Sequence, residues 1–127
     1  MPRHYRLSAA EVAILTLFLI KEYYREKEKP GTRARVSQQT LRIIAARKRL
    51  RSAFIDESTD ELAALGWSAF PVGDNFAIIR TEATDGWPRI GSKRIRDTLL
   101  RVHRGEAGAL AEVEEAIEEP TEQADDE

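Results

Sequence analysis

Cysteine is absent from this chain of 127 residues, which excludes disulfide staples and thiolate catalysis. Histidine is scarce. His4 and His103 stand far apart, and neither has the spacing of a metal ligand set. Long hydrophobic runs are missing as well. The longest, Val12–Ile20, is broken only by Thr16 and is well short of the roughly 20 residues that cross a bilayer as a helix. The basic opening MPRHYR ahead of an apolar stretch has the order of a secretory signal. Glu11 interrupts the join, however, and KEYYREKEK follows where a small-residue cleavage site would stand. A cytoplasmic protein without membrane contact is expected.

Catalytic patterns are equally thin. No GxxxxGK[ST] phosphate loop occurs. Ile90-Gly91-Ser92 lacks the surrounding glycines of a nucleophile elbow. Asp56, Glu57, Asp60 and Glu61 splay around the axis of any helix that carries them, so they do not converge on a hard cation. No enzyme, metal or cofactor is expected.

Basic charge is missing after Arg104, and this absence organises the chain. Residues 1–51 carry 13 basic and 4 acidic side chains, net +9. Residues 52–88 are net −6, residues 89–104 net +5, and residues 105–127 net −10. The total of −2 hides four blocks of alternating sign. Blocked charge creates local fields, and local fields select partners. The composition therefore points to a binding protein.

Ser8-Ala9-Ala10-Glu11 reads as a capping box. It opens a helix that runs to Lys27 or Lys29 and stops at Pro30-Gly31. The first half of that helix is apolar nearly all round, which predicts a central place in the core. Thr32–Val36 alternates and predicts a short strand. Ser37 is placed to cap a second helix beginning QQTLRIIAAR. As one continuous helix, residues 41–66 would put their apolar side chains on two opposed faces. Broken near residues 48–51, they form one stripe of Phe54, Ile55, Leu62 and Leu65, with Ser58 inside it. Ser52 then caps the third helix, Leu50 anchors the turn, and Gly66 ends the helix.

Trp67–Val72 and Phe76–Thr81 read as strands joined by Gly73-Asp74-Asn75, a hairpin with Pro71 near its end. The polar loop TEATDGWP follows. Ser92 is placed to cap a fourth helix through Arg104, with Ile95, Leu99 and Val102 as its seam. Arg94 and Arg101 both reach Asp97 at helical spacing. AGALAEVEEAIEE predicts an acidic amphipathic helix on Leu110, Val113 and Ile117, and Pro120–Glu127 has the composition of a disordered end. The fold class is α+β, mainly α. One domain is expected over residues 1–104, with a core at 8–81 and a helix at 92–104. An acidic helix and tail occupy 105–127.

The order helix, short strand, helix, turn, helix, hairpin resembles a winged helix-turn-helix domain with additional C-terminal helices. The resemblance covers residues 8–81. It is sharpest in TLRIIAARKRLRSAFIDESTDELAALGW, which is similar to the helix-to-wing junction of MarR-like regulators. There Leu62-Ala63-Ala64-Leu65-Gly66-Trp67 turns the chain out of the helix and starts a strand on the core side. The resemblance implies a small prokaryotic-type DNA-binding protein without enzymatic activity, acting as a transcriptional regulator or a mobile-element accessory factor. It would bind double-stranded DNA as a homodimer.

On that reading Arg42, Arg47, Lys48, Arg49 and Arg51 hold phosphates, because guanidinium groups meet phosphate oxygens bidentately. Arg33 and Arg35 extend the surface, and Ser52 contributes from the helix start, where such proteins meet bases. Two features oppose it. The exposed face of the third helix, Ala53, Asp56, Glu57, Asp60 and Ala64, is acidic, and phosphate rails repel carboxylates. The hairpin tip carries no Lys or Arg. The alternative is a protein-interaction module that uses Asp56, Glu57 and Asp60, or the tail helix through Leu110, Val113 and Ile117. The tail helix itself reads either as a solvated end or as a competitor that shields the basic blocks. Core packing is expected of Trp67 and Trp87 rather than base stacking.

Overall fold

In a computed structural model that describes residues 6–118, the chain is α+β and mainly helical. The elements are α1 (Ala9–Glu26), β1 (Arg33–Ser37), α2 (Gln38–Ala45), α3 (Ser52–Ala64), β2 (Trp67–Val72), β3 (Asn75–Arg80), α4 (Arg96–His103) and α5 (Ala109–Glu118). Short 3-10 turns occupy Thr81–Thr84 and Lys93–Ile95. Two compact units divide after Trp87, so residues 88–104 belong with the acidic helix and not with the preceding elements.

Helix α1 starts as the sequence dictates. The Ser8 hydroxyl accepts from the Glu11 amide, and the Glu11 carboxylate accepts from the Ser8 amide, which satisfies two otherwise orphaned donors. The helix ends with Lys27 as its C-cap, before the proline. Only one face is in the core: Val12, Ala13, Thr16 and Ile20 are buried. The Thr16 hydroxyl is satisfied by donating to the Val12 carbonyl at 2.7 Å. Ile14, Leu15, Phe18 and Leu19 are exposed, so the all-round apolar stretch is not central. Two layers, with a sheet on one side only, leave the far face of α1 uncovered.

The sheet is antiparallel with strand order β1-β3-β2. Ala34 and Val36 of β1 pair across from Ile78 and Phe76 of β3. Alternation sends these residues to one face, and Val36, Phe76 and Ile78 are buried. Ile20, Val36 and Ile78 form one core cluster, with Trp67 and Ala69 packed against it. A second cluster gathers Val12, Ala45 and Phe54, with Leu50 and Ile44 at its edge. Leu41 touches both. Leu50 packs against the second cluster but is half-buried, not the buried anchor expected of the turn. Tyr24 donates its hydroxyl to the Arg33 carbonyl at 2.6 Å, tying the edge strand to α1.

Several expectations change at element ends. The hairpin turn is Gly73-Asp74 alone, with Asn75 already paired in β3. The Asp74 carbonyl accepts from the Gln38 amide, so the tip closes against the start of α2. Ser92 caps nothing. A 3-10 turn intervenes and α4 begins four residues later, with Ile95 at its N-cap. Leu65 is half-exposed as the C-cap of α3 instead of lying in the core stripe. Trp87 is 59% exposed, so it does not close over the hairpin core. The Ser58 hydroxyl is buried between α1 and α3 without a partner. The expected disorder of Pro120–Glu127 lies outside the described residues.

Candidate nucleic-acid interface

The segment between α2 and α3 holds four of the eight DNA-binding residues expected from the sequence: Arg47, Lys48, Arg49 and Arg51. Helix α2 is capped by Ser37, whose hydroxyl accepts from the Thr40 amide. It ends at Ala46 in the left-handed region, φ 55 and ψ 43. That reversal throws the chain outward, and residues 46–51 connect to α3.

Arg47 does not join the exposed cluster. Its side chain turns inward, donates to the Leu7 carbonyl at 2.9 Å and stacks 3.8 Å from the Phe54 ring centre. Its Nε is buried without a partner. The Leu7 amide in turn donates to the Ala45 carbonyl. Arg47 thus clamps the segment before α1 to the α2–α3 connection, and Phe54 offers it a desolvated ring face. No local pattern of residues marks this contact, which spans 40 positions.

Lys48, Arg49 and Arg51 are exposed, and none forms an ion pair among the described residues. Arg42 is half-buried in the last turn of α2 and lines a shallow groove with Gln39, Ile43, Ala46, Arg47 and Lys48. Ile43 is 71% exposed beside it.

The cap of α3 differs from expectation. Arg51, not Ser52, is the N-cap, with extended geometry and no side-chain cap bond. Its carbonyl accepts the first helical bond, from the Ile55 amide. Ser52 is therefore inside the helix, where its hydroxyl cannot reach back to the N3 amide. The amides of Ser52, Ala53 and Phe54 lack partners among the described residues. No acidic residue stands in the first turn. An open helix start of this kind carries partial positive charge.

The rest of α3 behaves as the phase count requires. Phe54 and Leu62 are buried, and Ala53, Asp56, Glu57, Asp60 and Ala64 are exposed. These carboxylates pair with no base among the described residues, including the cations at 48–51.

Arg33 and Arg35 belong to a different surface. They lie on the outer face of the sheet, paired across from Ile79 and Ala77. With Phe70 and Trp87 they line a shallow groove on that face. The structure does not bring them together with the cations at residues 48–51. Trp67 is half-buried on the core side, with the Arg80 guanidinium above its ring at 5.7 Å.

In the second unit Arg101 bonds Glu106 and Glu112 through three hydrogen bonds of 2.9–3.0 Å. It does not pair with Asp97, because those two glutamates lie within reach of its guanidinium fork. Arg101 holds the Glu112 carboxyl below the usual carboxylate range, by hydrogen bonding and by charge. Val113 is half-buried, while Leu110 and Ile117 are exposed. No cluster of potential metal ligands occurs among the described residues, and none of their helices is long and apolar enough to cross a membrane.

Comparison of the chain with protein-family models, with curated proteins and with solved structures finds no match.

Proposed function

We propose that residues 6–87 form a winged-helix-like DNA-binding module, a non-enzymatic regulator or accessory factor that grips double-stranded DNA. One observation carries the reading: the uncapped start of α3 is flanked by Lys48, Arg49 and Arg51, all exposed and without ion-pair partners among the described residues. Open amides and cations at one helix start make an anion site suited to a phosphate. The strand order β1-β3-β2 beside three helices supports the fold resemblance. In this arrangement Arg42 and Lys48 flank the DNA backbone along the groove beside α2. Ser52 meets DNA through its amide or hydroxyl, and the acidic remainder of α3 stays out of the major groove. Arg47 supports the connection without touching DNA.

Titrating the protein with random duplex DNA across salt tests this. Each phosphate neutralised adds about 0.9 to the slope of log affinity against log salt. Changing Lys48, Arg49 and Arg51 to Ala is expected to lower that slope by about 3. Absence of duplex binding at low salt refutes the reading.

A second reading is favoured by the unpaired carboxylates of α3. Asp56, Glu57 and Asp60 face solvent together, and a basic protein surface fits them better than DNA does. Binding that survives the triple alanine change, but not Asp56→Lys with Asp60→Lys, supports that alternative.

A further inference from the structure

Residues 88–118 do not bury a core of their own. Ala109 is the one buried residue in this described stretch. Arg101 of α4 bonds Glu106 and, in α5, Glu112, while Leu99, Val102 and Val113 are only half-buried. Ile95, Leu100, Leu110 and Ile117 remain exposed, Ile117 at 75%. Segments below about 40 residues rarely hold together without disulfides, metals or oligomerisation. The chain has no cysteine, and the described residues hold no metal-ligand cluster.

Charge indicates what covers these side chains. Residues 89–104 are net +5 and residues 105–118 net −5. Only Arg101, Glu106 and Glu112 form ion pairs within this stretch. Lys93, Arg94, Arg96 and Arg104 on one side, and Glu114, Glu115 and Glu118 on the other, have no ion-pair partner among the described residues. The charge is divided by half: the 3-10 turn and α4 lie in a positive block, and α5 lies in a negative one. A twofold contact places the same patch on both sides. Pairing α4 with α4, or α5 with α5, sets like charges together. Pairing α4 with the α5 of a second copy matches opposite charges twice and covers the apolar side chains at the same time.

We infer that residues 88–118 form a self-association surface, with α4 of one copy lying against α5 of a second copy of this chain. The contact is independent of the DNA reading, because none of its residues belongs to the cluster at residues 48–51. Leu100, Leu110 and Ile117 exclude water at its centre, and the unpaired Arg and Glu side chains set its polarity and partner choice.

Sedimentation equilibrium of the full chain tests the inference. The wild type is expected to have the mass of two chains at roughly 100 µM, with dissociation favoured by added salt. Leu110→Asp with Ile117→Asp is expected to weaken association roughly a hundredfold. Both side chains are exposed, so the fold of the single chain is retained, and circular dichroism verifies this. The decisive arm swaps charge. Glu114→Arg with Glu115→Arg, and separately Arg94→Glu with Arg96→Glu, each yield a monomer. Mixing the two restores a dimer, because each positive segment then meets a negative one. A monomeric wild type overturns the inference. So does a dimer that survives the Asp changes, a mixture that stays monomeric, or a dimer lost instead on Phe18→Asp, which would put the contact on the exposed face of α1.

Discussion

Replacing Arg47 by alanine separates a structural arginine from its functional neighbours. The side chain donates to the Leu7 carbonyl at 2.9 Å and lies 3.8 Å from the Phe54 ring centre. A hydrogen bond from a charged donor contributes about 1.5–3 kcal/mol. A partly desolvated cation over an aromatic face adds roughly 0.5–2 kcal/mol. The two contacts share one guanidinium and do not add fully. The buried Nε without a partner offsets part of the gain. A net loss of about 2–3 kcal/mol is expected. In a domain of this size that lowers the unfolding midpoint by on the order of 10–20 °C. Thermal and urea unfolding of the full chain by circular dichroism reads the effect. Arg49→Ala is the reference: it removes an exposed cation and is expected to change stability by less than about 0.5 kcal/mol. Arg47→Lys keeps the charge but not the flat group, so it recovers only part of the loss. An Arg47→Ala protein with an unchanged midpoint and lost DNA affinity would refute the reasoning, because the guanidinium would then be serving a ligand and not the fold.

Two further perturbations follow from local geometry. Ala46→Gly relieves the left-handed strain at φ 55 and is expected to stabilise by about 0.5–1 kcal/mol after the cost in unfolded-chain entropy, whereas Gly66→Ala at φ 90 destabilises by about 1–2 kcal/mol. Urea midpoints measure both, and the same sign for the two changes contradicts the argument. Acid is expected to loosen α5 from α4. Arg101 depresses the Glu112 carboxyl in the folded state, so the contribution of this pair is complete above the ordinary carboxylate range and fades as pH falls through the depressed value. Carboxyl titration by NMR checks this, and a Glu112 that titrates at or above the usual range rules it out.

Much of the local structure was legible in the sequence. The capping box at Ser8 and Glu11, the Ser37 cap, the break between α2 and α3, and the Gly66 exit all follow from residues within a turn of one another. The acidic outer face of α3 followed from phase alone, since 3.6 residues per turn fixes which side chains share a face once Phe54 and Leu62 are inward. Helix starts were less secure. Ser52 and Ser92 have the right chemistry for a cap, but a one-residue shift at α3 and an intervening 3-10 turn before α4 put each hydroxyl out of reach of its amide.

What the sequence determined by itself is the set of elements, the order in which they occur and the four charge blocks, because these depend on neighbours along the chain. Only the tertiary structure decided how each charge is used. Arg47 and Arg49 are two positions apart and chemically identical, yet one clamps Leu7 over Phe54 and the other faces solvent. Arg33 and Arg35 went to the outer face of the sheet because Ala34 and Val36 took the core side. Arg101 chose Glu106 and Glu112 over Asp97 once α5 lay beside α4. Similarly, only packing decided that Ile14 and Phe18 of α1 stay exposed while Val12 and Ile20 are buried. Desolvation and hydrogen-bond geometry act across space, and a partner 40 residues away leaves no periodicity to read.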